Sequence, residues 1–171
     1  MKNKAVFLDR DGVINKERGT YTFLPEDFEI IDGVPESIAL LKKNGFKIIV
    51  ITNQSGISQG LYSKEMMVSC HNKMMAECQQ LIDDIYYAKW HPNVSESLFR
   101  KPDSLMIERA IALHEVDLTK SWLIGDKERD ILSGRKVDLK TILIGDRRQD
   151  TNADLIAVDL REAVNQIISC H

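Results

Sequence analysis

Six short apolar runs, separated by helix-like stretches, leave this chain few ways to fold. The runs are Ala5–Leu8, Lys47–Ile51, Ile85–Ala88, Trp122–Ile124, Thr141–Ile144 and a weaker Leu155–Val158. Short continuous apolar runs read as strands buried on both faces, the mark of a parallel sheet. Helix-like stretches cover Pro35–Asn44, Ser63–Leu81, Asp103–His114, Lys127–Lys136 and Leu160–Ile168. Pro35 and Gly45 bracket the first stretch, and Ser63 and Asp103 are capping residues for the next two. Strict alternation predicts an α/β fold: a Rossmann-like parallel sheet with helices on both faces and right-handed crossovers. In such sheets ligands sit outside the carboxyl ends of the strands. Each unusual polar cluster in this sequence falls at such an end.

The 171 residues suit one domain spanning 1–171 with its own core. A net charge of -3 gives no electrostatic reason to expect nucleic acid or an anionic membrane as partner. No apolar run approaches the roughly 20 residues that cross a bilayer, and Met1-Lys2-Asn3-Lys4 is not followed by a signal-peptide apolar stretch. Cys70, Cys78 and Cys170 form no Cys-x-x-Cys pair, so reduced thiols and a cytoplasmic location are expected. Met66, Met67, Met74 and Met75 read as helix core. The expected partner is a small molecule, and the expected state a monomer or weak dimer.

The first cluster is Asp9-Arg10-Asp11-Gly12, directly after the first run. Residues i and i+2 of an extended segment point to one side. Carboxylates that close favour the protonated state unless a cation neutralises them. The spacing therefore suits a hard metal ion such as Mg2+ and a carboxylate nucleophile; an Asp/Gly-rich turn is the plainer alternative. The second cluster, Thr52-Asn53-Gln54-Ser55-Gly56, offers a hydroxyl, amides and backbone N–H groups to an anion such as phosphate, or forms a polar turn. In Arg100-Lys101-Pro102, Lys101 can set a positive charge beside a phosphoryl group and Arg100 can fork onto a second phosphate or a sugar hydroxyl. The alternative is a solvated basic pair.

The fourth cluster is Gly125-Asp126-Lys127, with Asp130 one helical turn beyond Asp126. Asp126 can ligate a metal and Asp130 can hold the loop or a water on the metal; simple helix capping is the alternative. Gly145-Asp146…Asp150 repeats the Gly-Asp-x-x-x-Asp spacing, but Thr151-Asn152-Ala153-Asp154 does not continue as a helix, so a surface turn is expected; the alternative is that its carboxylates replace Asp126 as metal ligand. Residues 15–32, with Arg18, Gly19, Tyr21, Phe23 and Pro25, are longer than the usual connection of about 2–6 residues. They read as a lid or binding loop, or as an irregular hairpin that only packs.

In this order the four clusters resemble the haloacid dehalogenase (HAD) superfamily of phosphotransferases across essentially the whole chain. Asp9-Arg10-Asp11-Gly12-Val13-Ile14-Asn15, Thr52-Asn53-Gln54-Ser55-Gly56-Ile57, Arg100-Lys101-Pro102 and Gly125-Asp126-Lys127 resemble its D-glycero-D-manno-heptose 1,7-bisphosphate phosphatase branch, with a minimal cap. The resemblance implies a magnesium-dependent phosphatase of a phosphorylated sugar. It implies that Asp9 attacks phosphorus to give an aspartyl-phosphate and that Asp11 is the general acid/base. Asp9, Asp126 and the backbone carbonyl of Asp11 would hold Mg2+. Thr52 and Lys101 would stabilise the phosphoryl group. Arg10, Asn53, Gln54, Ser55 and Arg100 would join them in binding substrate, supported by Lys127 and Asp130.

The branch usually carries a structural zinc loop. Its four ligand positions are Ala88, Trp90, Ser97 and Phe99 here, none of them an ordinary zinc ligand. No structural zinc is therefore expected, and Trp90 and Phe99 are expected to hold the loop by packing, with His91 a loop or substrate-side residue. Gln59 stands where the branch commonly has Arg, which predicts one phosphate-side contact fewer. Histidinol phosphate is the neighbouring substrate alternative. A phospho-Asp receiver module is the alternative of a different class, disfavoured because the acidic pair lies at the first strand and includes Asp11.

Overall fold

A computed structural model describes residues 2–146 and 150–170. Six strands pair in parallel in the order β3-β2-β1-β4-β5-β6. They are β1 (Ala5–Leu8), β2 (Lys47–Asn53), β3 (Asp84–Ala88), β4 (Trp122–Gly125), β5 (Lys140–Ile144) and β6 (Leu155–Ala157). The helices are α1 (Val34–Lys43), α2 (Lys64–Glu77), α3 (Leu105–His114), α4 (Glu128–Arg135) and α5 (Leu160–Ser169). The expected α/β class and element order are present.

Alternate side chains of each strand feed two cores. Val6, Leu8, Ile48, Val50 and Ile124 pack with α1, α2 and α5. Ala5, Phe7, Ile49, Ile51 and Leu123 pack with α3 and α4. Met67 and Met74 are buried as expected, and Cys70 and Cys78 are buried free thiols. Strand order reverses between β1 and β4, and a crevice opens at such a point. Leu8 pairs with both Val50 and Ile124, so the residues just after β1 lie beside those ending β2 and β4.

Several boundaries differ from the sequence expectation. β2 continues through Thr52 and Asn53, because both still pair with Tyr87 and Ala88 of β3. α2 stops at Glu77 rather than Leu81, because Gln79 and Gln80 take φ of 54° and 58°, left-handed values that end a helix. Asp103 does not cap α3: it pairs with Lys136 at 2.7 Å, and the helix begins at Leu105. Residues 15–32 form a hairpin stem, with Lys16 N donating to Glu29 O at 2.9 Å and Ile31 N to Ile14 O at 2.9 Å. Its outer residues turn towards the strand ends. Among the described residues no helix is long and apolar enough to cross a membrane.

Candidate active site

Asp9 leaves β1 with its N–H donating to Ile124 O at 3.0 Å, which fixes it between the ends of β1 and β4. Its carboxylate is buried; Oδ1 accepts from Arg10 N at 2.7 Å and lies 2.8 Å from Lys101 Nζ. Lys101 is equally buried. Its ammonium also meets Asp130 Oδ1 at 2.7 Å and donates to Ile51 O at 2.9 Å. Asn53 holds the Lys101 backbone from both sides, donating to Lys101 O and accepting from Lys101 N, each at 3.1 Å. The amide expected on substrate thus sets the place of the buried lysine.

Two glycines make this cluster possible. Gly12 sits at φ 85°, and a Cβ there would lie 2.4 Å from Asp126 Oδ2. A Cβ on Gly125 would lie 2.3 Å from Asp130 Cβ. Asp130, in the first turn of α4, accepts from Lys127 N at 3.0 Å through Oδ2, an N-terminal backbone donor that a helix otherwise leaves unsatisfied. Lys127 Nζ in turn meets Asp126 Oδ2 at 2.8 Å.

Charge in this cluster is unbalanced. Ligand atoms of Asp9, Asp126 and Asp130 lie within 4.8 Å of one another, with one buried ammonium among them. Burial, then the charge of Asp130, pushes Asp9 up to about 7 against the pull of Lys101. Burial also raises Asp126, despite Lys127. For Lys101 burial acts downward, but Asp130 and Asp9 outweigh it and the ammonium is raised. Asp126 Oδ1 is buried with no hydrogen-bond partner. Converging carboxylate oxygens with such an orphan fit a hard divalent cation. Asp130, expected only in support, joins the group, but Lys101 and Lys127 N engage its two oxygens.

Asp11 faces the other way. Arg10, itself buried, forks onto it with Nε–Oδ2 3.1 Å and Nη2–Oδ1 2.8 Å, and Asn15 Nδ2 donates to Oδ1 at 3.0 Å. Arg10 is anchored in turn by Thr22 O at 2.9 Å. With the Gln54 amide oxygen turned inward, it accepts from Thr52 Oγ1 at 2.9 Å and from Arg10 at 3.2 Å, while its nitrogen donates to Tyr62 OH at 2.8 Å. Ser55 Oγ lies 3.3 Å from Tyr21 OH. Gln59, which stands where the branch commonly has Arg, donates to Tyr21 OH at 3.0 Å and ties down the loop 15–32.

A cavity of about 430 Å³ opens over these groups, lined by Arg10, Asp11, Asn53 and Gln54, by Gly19 and Tyr21 of the long loop, and by Lys127 and Arg129. The long loop is therefore both a packed hairpin and a wall of the site. Sequence reasoning missed Arg129 and Tyr62. Arg129 lies inside the Asp126–Asp130 turn and could have been found there. Tyr62 carries no local signal: it matters because Gly56, where a Cβ would lie 2.2 Å from its ring, lets it pack beneath the turn.

Asp146 is exposed beyond β5, one strand removed from β1; residues 147–149 of that turn lie outside the described residues. Phe99 packs against the core shared with α3. Trp90 does not: it is 37% exposed, with Lys89 Nζ 4.8 Å above its ring. The expectation that it clamps the loop is corrected. His91 instead organises that turn, accepting from Asn93 N at 3.2 Å and donating its own N–H to Ser58 Oγ at 2.9 Å.

Residues 98–163 match the HAD-hydrolase-like family model. The chain is 36% identical to the D-glycero-D-manno-heptose-1,7-bisphosphate 7-phosphatase of Chlorobaculum tepidum, over 96% of this chain and 94% of that one. The chain belongs to this family of HAD-type phosphatases. It is a phosphoric monoester hydrolase. The D-glycero-alpha-D-manno-heptose-1,7-bisphosphate 7-phosphatase of Burkholderia mallei is 39% identical over 96% of this chain and 93% of its own length. In fold, this HAD-type phosphatase matches a D,D-heptose 1.7-bisphosphate phosphatase from B. bronchiseptica, solved with magnesium and phosphate. The TM-score is 0.90 at 24% identity, over 98% of this chain and 99% of the other.

Proposed function

We propose that this chain removes the 7-phosphate of D-glycero-D-manno-heptose 1,7-bisphosphate in a magnesium-dependent reaction. The observation that carries this is the pair at the end of β1. Asp9 is buried against Lys101, while Asp11, two residues on, opens into the cavity. Relatives named for that substrate support it. Mg2+ would be held by Asp9, Asp126 and the backbone carbonyl of Asp11, and would supply neutralising charge to the nucleophile and the phosphoryl oxygens.

Both contacts of Asp9 fall on Oδ1, so Oδ2 is the oxygen that attacks phosphorus. The bond to the sugar oxygen breaks as the aspartyl-phosphate forms, and Asp11 gives that oxygen its proton. Asp11 then takes a proton from water, which attacks phosphorus and frees Asp9 and inorganic phosphate. Thr52, Lys101 and the turn after β2 offset charge on the transferring group. Such catalysis is mainly positioning and preorganised charge. Arg10, itself anchored by Thr22 O, and Asn15 hold the Asp11 carboxyl in place; Gln54, Ser55 and Arg100 complete the substrate contacts.

The test is phosphate release with Mg2+ from both anomers of the heptose bisphosphate, beside histidinol phosphate and fructose 1,6-bisphosphate. The heptose substrate is expected to have the highest kcat/KM, and Asp9→Asn to abolish turnover with the fold retained. Full activity in Asp9→Asn, or a preference for histidinol phosphate, overturns the reading.

A further inference from the structure

Three cations line the catalytic cavity, and two are already matched. Arg10 is forked onto Asp11 and Lys127 pairs with Asp126. Arg129, exposed in the first turn of α4, has no hydrogen bond or ion pair among the described residues. Close by, on the loop before α3, stands a second unmatched guanidinium. Arg100 is half-buried, its Nη1 is shut off from solvent, and that nitrogen has no hydrogen-bond partner. Burial, then the charge of Arg129, lowers Arg100 from its ordinary pKa, while Tyr21 on the cavity wall acts the other way. Two guanidiniums that repel each other beside a polar cavity, one with a buried orphan donor, are arranged for an anion. Planar forks of this kind are suited to phosphate.

We propose that Arg129 is a specificity-determining residue that closes, against Arg100, on the phosphate that is not transferred. The chain would then select sugar bisphosphates over monophosphates. This rests on the phosphatase reading above and deepens it. The transferred group is met by Asp9, Thr52 and Lys101 at the ends of β1 and β2. Arg129 lines the cavity with Tyr21 and its charge acts on Arg100, so this pair is assigned to the other phosphate. Binding energy from a remote group of this kind appears chiefly in KM.

The test compares heptose 1,7-bisphosphate with heptose 7-phosphate, which differ only in the distal phosphate. The wild type is expected to favour the bisphosphate. Arg129→Ala and Arg129→Gln are expected to lower kcat/KM for it at least tenfold more than for the monophosphate, mostly through KM. Arg129→Lys should keep part of the preference. Thermal midpoints should stay at the wild-type value, because the side chain is exposed. Equal losses on both esters, or none on either, overturn the subsite and leave the phosphatase reading standing. Hydrolysis of neither ester by the wild type overturns both.

Discussion

A Cβ placed on Gly12 would stand 2.4 Å from Asp126 Oδ2. The glycine after the acidic pair therefore does more than turn the chain, because it makes room for the carboxylate arriving from β4. Gly12→Ala meets two costs. Its φ of 85° charges a side chain about 1–2 kcal/mol, and the methyl displaces Asp126. Urea unfolding should register the first. For the second, a shift of roughly 1 Å in a reacting constellation can cost about 10²-fold. A loss of that order in kcat is expected, with near-normal circular dichroism.

Lys101 is the only ammonium held between the buried carboxylates Asp9 and Asp130 among the described residues. Lys101→Met leaves them facing each other. Removing one partner from a buried ionic cluster costs about 3–5 kcal/mol, and urea midpoints at neutral pH should fall accordingly. The loss should shrink on acidification, because protonating a carboxylate relieves the repulsion. Turnover should disappear at every pH.

Two Gly-Asp-x-x-x-Asp segments compete for the metal in the sequence, and the structure separates them. Asp126 follows β4, which neighbours β1; Asp146 follows β5, which does not. Asp126→Asn should raise the Mg2+ concentration needed for half-maximal activity by about tenfold or more and depress kcat. Asp146→Asn should leave the Mg2+ titration of phosphate release unchanged. The reverse pattern would move the metal to the wrong strand.

Much of this site is legible in sequence because a parallel sheet gathers its strand ends in one place. Asp9, Thr52 and Asp126 were recognisable from residue type and position after an apolar run, and Lys101 from its place before a helix. What escaped depends on contacts distant in sequence. Nothing local in Thr52-Asn53-Gln54 says that Asn53 will grip the backbone of Lys101 while it lines the cavity. Tyr62 follows Gly56 by six residues and gains meaning only when the two meet. Trp90 shows the opposite failure: a large aromatic beside a functional loop suggests packing, yet it rests half in solvent beneath Lys89.

His71 supplies a pH-dependent term of definite sign. It is buried on α2, its Nε2 has no hydrogen-bond partner, and burial, then the nearby Arg10, lowers its pKa from 6.5 to about 4. Between those values the unfolded chain binds a proton that the folded chain refuses. Stability is therefore fully present above pH 6.5 and falls as pH drops towards about 4. A gap of this size corresponds to about 3 kcal/mol at most. The buried carboxylate Asp9, with its raised pKa, contributes in the opposite direction, so the whole-protein curve mixes the two. Comparing wild type with His71→Gln in urea at a series of pH values isolates the histidine. The difference between the two unfolding free energies should be flat above pH 6.5 and should move in favour of the glutamine variant as the pH is lowered. A difference that stays constant down to pH 4 would mean that His71 does not titrate as a buried neutral group.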